Sequence, residues 1–87
     1  MATFRIALAD ALLRQNQPGA ARTELEETMA ALRRQGQQRP EMPPPHALLA
    51  FGYSRLEMAL REDGEPGLAD AAARQAEQER NAGRRSP

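Results

Sequence analysis

The stretch NQPGAA at residues 16–21 recurs in similar form as GEPGLA at residues 64–69. Each copy follows a run with helical periodicity and contains a Pro-Gly pair, which stops one helix and suits the first turn of the next. Pro18 and Pro66 are therefore predicted to begin new helices, and the alanine three residues after each proline is small enough for close packing. The recurrence predicts one structural unit, a helical hairpin, used twice.

The composition favours an all-α fold. The 87-residue chain is rich in alanine and contains one Ile, three Thr and no Val, so it lacks the β-branched residues that strands prefer. A chain of this length fits one domain with a small core. Because it has no cysteine, it has neither disulfides nor thiolate metal ligands, and close helix packing or association must supply its stability.

Charge and hydropathy argue against two classes of partner. The net charge is zero, which disfavours a dedicated nucleic-acid binder. No apolar run approaches the length of a membrane span, and the first residues do not resemble a signal peptide, so we expect a cytoplasmic protein without membrane contact. Residues 1–40 contain six Arg and four acidic residues, whereas residues 41–82 contain four Arg and eight acidic residues. These unlike halves could favour contacts between copies, although ordinary solvated helix faces account for the same pattern.

Four helices are predicted from periodicity and breaker residues, at residues 3–15, 18–35, 45–62 and 66–81. Gly52 lies inside the third helix, where a small residue would let another helix approach closely. The expected core positions follow helical spacing: Phe4, Leu8, Ala11 and Leu12; Ala21, Leu25, Thr28, Met29 and Leu32; Leu49, Tyr53, Leu56 and Leu60; and Ala69, Ala72, Ala73 and Ala76.

The domain boundaries follow from the same breakers. Residues 1–82 are predicted to form a single helical domain, with one hairpin at 3–35, a connection at 36–45 and a second hairpin at 45–82. The connection, GQQRPEMPPP, begins with a glycine that would cap the second helix. Its three consecutive prolines favour a stiff, extended linker over a ligand for another domain. Residues 83–87 are predicted to be a disordered tail.

Seven positions of the second hairpin carry a further pattern: Tyr53, Leu56, Leu60, Gly64, Ala69, Ala73 and Ala76. This pattern resembles the tetratricopeptide repeat, in which large and small residues interlock two antiparallel helices. The first hairpin departs from it, since Arg5 stands at an aromatic position, Asn16 at the turn glycine and Thr28 at a small residue. The family's usual period is 34 residues, whereas the two copies here are 48 residues apart, so this chain needs about fourteen more residues per unit. A plain four-helix protein with two similar turns is the alternative.

The resemblance implies a stack of two hairpins without chemistry of its own. Members of that family mostly bind peptides or proteins on the concave face formed by the first helix of each hairpin. The clamp for C-terminal carboxylates used by part of the family is not reproduced, because Asp10 and Met58 stand where it has asparagine. If the family's binding face is mapped onto this chain, the resemblance implies eight partner-binding residues: Ile6, Asp10, Arg14, Phe51, Arg55, Met58, Arg61 and Glu62.

Two functions of different classes remain open. The first is an adaptor or small chaperone-like protein that binds a segment of another protein. The second is a self-associating structural subunit whose fourth-helix alanine face docks against another copy. Two hairpins are fewer than the three repeats that such arrays usually need, which favours a homo-oligomer or a hetero-complex in either case. A small inhibitor encoded by a mobile element fits the size, but no residue supports it.

No pattern predicts an enzyme, a metal site or a cofactor site. The single histidine, His46, has no second His or Cys to act with and is interpreted as a surface residue at a helix start. The acidic residues do not form a paired-carboxylate pattern, and no phosphate-binding glycine loop occurs. Favourable i, i+4 ion pairs are expected instead, between Glu57 and Arg61 and between Asp70 and Arg74.

Overall fold

Four helices account for most of the chain. The computed structural model describes residues 2–85, with helices α1 (Ala2–Arg14), α2 (Pro18–Gln38), α3 (His46–Glu62) and α4 (Pro66–Arg85). No strand occurs in this part of the chain, so the all-α prediction is confirmed. Within the same residues, no helix combines the length and the apolar character needed to cross a bilayer.

The two predicted joints have the same hydrogen-bond pattern. Between α1 and α2, the Gln17 N–H donates to the Leu12 carbonyl oxygen at 2.9 Å, and between α3 and α4 the Glu65 N–H donates to the Leu60 carbonyl oxygen at 2.8 Å. Each bond closes a Schellman motif, which satisfies carbonyl groups that the ending helix leaves free. The next helix begins at the following residue in both cases, so each joint closes a helical hairpin.

Each joint turns through one residue with a positive φ. Asn16 has a φ of 60° and Gly64 has a φ of 79°. Glycine enters this left-handed region without steric cost, and asparagine tolerates it better than most other residues. Asn16 therefore takes the place of the turn glycine in the first hairpin without changing the geometry of the turn.

The second helix continues past its predicted end. Gly36 lies inside α2, which reaches Gln38, so this glycine is not the cap that the sequence suggested. The helix ends where Arg39 precedes Pro40, because proline disfavours helical dihedral angles in the residue before it. The Arg39 N–H still donates to the Gln35 carbonyl oxygen at 3.0 Å and closes the last turn.

The fourth helix also extends beyond its predicted end and reaches Arg85. Residues 83–85 of the predicted tail are therefore helical. Residues 86 and 87, the rest of that tail, lie outside the described residues.

Helix α3 is the central helix of the fold. It packs against α4 on one side and against α2 and α1 on the other, and α1 and α4 do not touch within residues 2–85. The predicted close approach occurs at Gly52, where an added Cβ would lie 2.5 Å from Met29 Sδ and 3.2 Å from Ile6 Cδ1. The core formed by these contacts consists of Ile6, Ala9, Leu13, Ala21, Leu25, Met29, Tyr53, Leu56, Ala59, Leu60, Ala69, Ala72 and Ala76.

The buried side of α1 differs from the predicted one. Three of the four predicted core residues are exposed: Phe4 (71%), Leu8 (43%) and Ala11, with Leu12 half-buried. The residues buried in their place are Ile6, Ala9 and Leu13. Helical spacing is compatible with either stripe, and the choice depends on where α2 and α3 lie. Both lie on the side of Ile6, and no described helix covers the other side.

The alanine stripe of α4 packs against α3. Ala69, Ala72 and Ala76 are buried, and Ala73 is half-buried. In the part of the chain that the structure describes, α4 packs on no helix other than α3. The stripe is therefore covered within the chain, which confirms its place in the predicted core. The alternative hypothesis, in which this stripe docks against another copy, finds no free surface there.

Candidate interaction face

One ion pair joins α1 and α3, and a second one within α1 shares its carboxylate. Arg55 Nε lies 2.9 Å from Asp10 Oδ1, and Arg14 Nη2 lies 3.1 Å from Asp10 Oδ2. One carboxylate thus faces two guanidinium groups, and the cluster carries an excess positive charge. The surface formed by Asp10, Arg14, Phe51, Arg55 and Met58 is called the α1–α3 face below.

Three residues of α3 follow one another along this face at positions i, i+4 and i+7. The Arg55 guanidinium carbon lies 4.7 Å from the centre of the Phe51 ring, and Arg55 Nη1 lies 3.5 Å from Met58 Sδ. Cation–π attraction holds the guanidinium over the ring. Phe51 is 39% exposed and Met58 is 44% exposed. The face therefore presents two apolar side chains on either side of a fixed cation.

Arg55 also has one unsatisfied donor. Its Nε is buried, and although Asp10 Oδ1 lies 2.9 Å away, the N–H group is not directed at that oxygen. The contact is therefore an ion pair without a hydrogen bond. A buried donor that lacks an acceptor destabilises the protein.

The other three predicted partner-binding residues do not join the α1–α3 face. Ile6 is fully buried in the core, so its side chain cannot contact a partner, and its assignment to the face is wrong. Arg61 Nη2 lies 2.9 Å from Glu57 Oε2 and 3.0 Å from Asp70 Oδ1, which directs it towards α4 and away from α1. Glu62 is exposed at the last residue of α3.

Arg61 belongs instead to a charged cluster between α3 and α4. Its hydrogen bonds to Glu57 and Asp70 raise the pKa of its guanidinium above the ordinary value. The predicted ion pair between Glu57 and Arg61 is confirmed. The i, i+4 rule predicted that Asp70 would pair with Arg74. Asp70 pairs instead with Arg61, across the hairpin. This cluster ties the last turns of α3 to the start of α4.

Sequence reasoning missed the ion pairs that join different helices. Arg22 Nη1 lies 3.0 Å from Asp63 Oδ2 and ties α2 to the second joint, and Arg5 Nε lies 2.7 Å from Glu24 Oε1 and ties α1 to α2. The hydrogen bond to Asp63 raises the pKa of Arg22, and the hydrogen bond to Glu24 raises the pKa of Arg5. The partners are too far apart in sequence for any helical spacing rule to connect them.

The proline-containing connection forms a wall of a separate crevice. This crevice has a volume of 580 Å³ and lies between the end of α2, the connection and the start of α3. Its lining includes Leu32, Met42 and Leu49, together with Arg33 and Arg39. Arg33 Nε also donates a hydrogen bond of 2.7 Å to the Tyr53 hydroxyl, which ties α2 to α3.

His46 is tied to α4. Its Nδ1 lies 2.8 Å from Glu79 Oε1, and both side chains are half-buried. The contact fixes the start of α3 against the second half of α4. His46 is at a helix start, as expected, but it is half-buried and not fully at the surface. No three His, Cys, Asp or Glu side chains among residues 2–85 form a group that could hold a metal ion.

No protein-family model, no curated protein and no solved structure matches the chain. What the α1–α3 face can do follows from its own geometry and charge. It can hold an apolar group against Phe51 and Met58, and it can offer the guanidinium groups of Arg14 and Arg55 to an oxygen acceptor.

Proposed function

We propose that this protein is a non-catalytic interaction module, an adaptor or small chaperone-like protein that binds a segment of a partner protein on the α1–α3 face. The observation that carries the proposal is the line formed by Phe51, Arg55 and Met58 on α3. Aromatic residues, methionine and arginine are enriched at the centres of protein interfaces, where they act as anchors. Here all three occur on one helix face, with the cation already held over the ring.

The charge of the face indicates the chemistry of the partner segment. Asp10 is shared by Arg14 and Arg55, so the cluster lacks one acidic group for charge balance. The side chain of Arg14 is 81% exposed and free to turn towards a ligand. We therefore expect an amphipathic segment whose apolar residues contact Phe51 and Met58 and whose carboxylate pairs with Arg14.

The arrangement of the helices supports the same function. The two hairpins have matching joints and pack side by side, with α3 against both helices of the first hairpin. In a tetratricopeptide-like stack, the first helix of each hairpin contributes to the binding face. In this chain those helices are α1 and α3, which carry Asp10 and Arg55.

Site-specific photo-crosslinking tests the proposal. A benzophenone amino acid would replace Phe51, and the same amino acid at Gln78, an exposed position of α4, would serve as the control. In an extract of the source organism, we expect the group at position 51 to capture a protein that the group at position 78 does not. The substitution Met58→Asp should abolish this capture, because it places a charge where an apolar contact is expected, whereas Gln78→Asp should leave it unchanged.

The outcome can also contradict the proposal. Equal capture from both positions would show that the α1–α3 face has no preferred partner. Capture that persists in Met58→Asp, in a protein whose circular dichroism spectrum is unchanged, would show that the apolar contact is not used.

A further inference from the structure

A second surface, on the outer side of α1, is uncovered although its counterpart on α3 is buried. The matching joints relate α1 to α3, since the left-handed residue is Asn16 in one hairpin and Gly64 in the other. The shift of 48 residues that aligns Asn16 with Gly64 also aligns Phe4, Leu8 and Ala11 of α1 with Gly52, Leu56 and Ala59 of α3. In α3 these positions are buried against the first hairpin, whereas in α1 they are exposed. The outer side of α1 is therefore a helix-packing surface without a helix on it.

The opposite end of the stack is polar, and its side chains already have partners within the chain. The positions by which α1 enters the core are Ile6, Ala9 and Leu13, and their counterparts on α3 are Ser54, Glu57 and Arg61. Ser54 accepts a hydrogen bond of 3.2 Å from Arg80 Nη1 of α4, and Glu57 pairs with Arg61. A head-to-tail contact would place the apolar side of α1 on this polar surface. The two ends do not match, so head-to-tail association is disfavoured.

We propose that two copies of this chain associate about a two-fold axis through the outer side of α1, formed by Phe4, Leu8, Ala11 and Leu12. In an antiparallel pairing of the two α1 helices, Leu8 lies close to the axis, and Phe4 lies against Leu12 of the other copy. A two-fold interface uses the same surface twice, so an apolar surface meets an apolar surface.

The charges around this surface permit the pairing. Its central residues carry no charge, and the nearest guanidinium, Arg5, is already paired with Glu24 at 2.7 Å and lies 3.9 Å from Glu27. On the other edge, Arg14 is paired with Asp10. Association therefore leaves both guanidinium groups beside a carboxylate. A surface without charge also has no feature that would select an unlike, charged partner over a second copy.

The proposed interface is small. Phe4 exposes most of a side chain whose full area is about 150–250 Å². Together with Leu8 and its smaller neighbours, each copy offers roughly 300 Å², which is well below the roughly 800 Å² per partner of a standard interface. The dimer is accordingly weak and reversible.

Sedimentation velocity on the full chain tests the dimer. Between about 10 μM and about 1 mM protein, the average mass should rise from the monomer mass of 9.6 kDa towards twice that value. The substitution Leu8→Arg should keep the chain monomeric throughout, because like charges would meet at the axis. The matched control Phe51→Arg, on the α1–α3 face, should associate as the unmodified chain does. A mass that stays at the monomer value, or a loss of association in Phe51→Arg alone, would overturn the proposal.

A second measurement does not depend on the stability of Leu8→Arg. Because the chain has no cysteine, Leu8→Cys introduces a single thiol close to the proposed axis. We expect this variant to oxidise to a covalent dimer at least tenfold faster than Gln78→Cys, whose thiol lies on α4. Equal rates would show that the α1 surfaces do not meet. Formation of a mixed disulfide with another protein in an extract, without dimer, would show that a different occupant covers the surface.

Discussion

Replacing Gly52 with alanine tests how closely the two hairpins pack. An added methyl group would lie 2.5 Å from Met29 Sδ, 3.1 Å from Met29 Cε and 3.2 Å from Ile6 Cδ1. All three distances are shorter than an ordinary contact between such atoms. Met29 is flexible, but it is almost fully buried, so its end has little room to move away. The substitution therefore overpacks the contact between α3 and the first hairpin.

Two effects of opposite sign determine the magnitude. Overpacking a core position costs about 1–3 kcal/mol, whereas replacing glycine by alanine inside a helix stabilises it by about 1 kcal/mol. The net expectation for Gly52→Ala is a destabilisation of about 1 kcal/mol. Gly36→Ala is the matched control, because Gly36 lies inside α2 and has no atom within 4 Å of the added methyl group. This control should gain about 0.5 kcal/mol from helix propensity, less than at the centre of a helix, because Gly36 lies close to the end of α2 at Gln38.

Thermal unfolding followed by circular dichroism measures the difference. A change of 1 kcal/mol corresponds to about 4–8 °C in Tm for a domain of this size, so the two variants should differ by about 6–12 °C. Gly52→Ala should melt below the unmodified protein and Gly36→Ala above it. If Gly52→Ala is stabilised as much as the control, then α3 does not approach Met29 and Ile6 as closely as described, and the packing argument is wrong.

Three further predictions concern the joints and the core. Asn16→Gly should raise stability by about 0.5–1 kcal/mol, because it removes a side chain from the left-handed region. Gly64→Ala should lower stability by about 1–2 kcal/mol, because it adds a side chain there. Urea unfolding would measure both changes, and two effects of the same sign and size would contradict the positive φ values. Tyr53→Phe should cost about 1 kcal/mol by removing the acceptor of the 2.7 Å hydrogen bond from α2, seen as a drop of about 4–8 °C in Tm. Leu25→Ala should cost about 2–5 kcal/mol, whereas Leu68→Ala, at an exposed position, should change the midpoint of urea unfolding little; similar costs at both positions would refute the assignment of the core.

The joints could be predicted from sequence because their causes are local. Proline and glycine restrict the backbone at the position where they occur, so Pro18 and Pro66 mark helix starts whatever the rest of the chain does. The end of α2 was placed too early because Gly36 is tolerated inside a helix, and only Pro40 stops it. Local rules therefore predicted where the helices begin better than where they end.

The buried side of α1 could not be predicted, because two stripes of this helix have helical spacing. One contains Phe4 and Leu8, the other contains Ile6 and Leu13, and only the positions of α2 and α3 decide which is covered. The same reason explains why Ile6 was assigned to the interaction face although it lies in the core. On α3, Phe51 and Met58 are exposed because they are not part of the apolar stripe, and their contact with a partner stays a prediction.

The alanine interface between α3 and α4 limits how this chain can change by mutation over evolutionary time. Ala69 and Ala76 are fully buried, and alanine is already the smallest side chain with good helix propensity. Glycine at these positions would weaken the helix by about 1 kcal/mol, and any larger residue would push the two backbones apart. Leu25 and Met29 of α2, in contrast, can be exchanged for other apolar residues of similar volume at a cost of less than about 1.5 kcal/mol. Neutral drift is therefore expected to retain the small residues of α4 while it replaces the large core residues of α2.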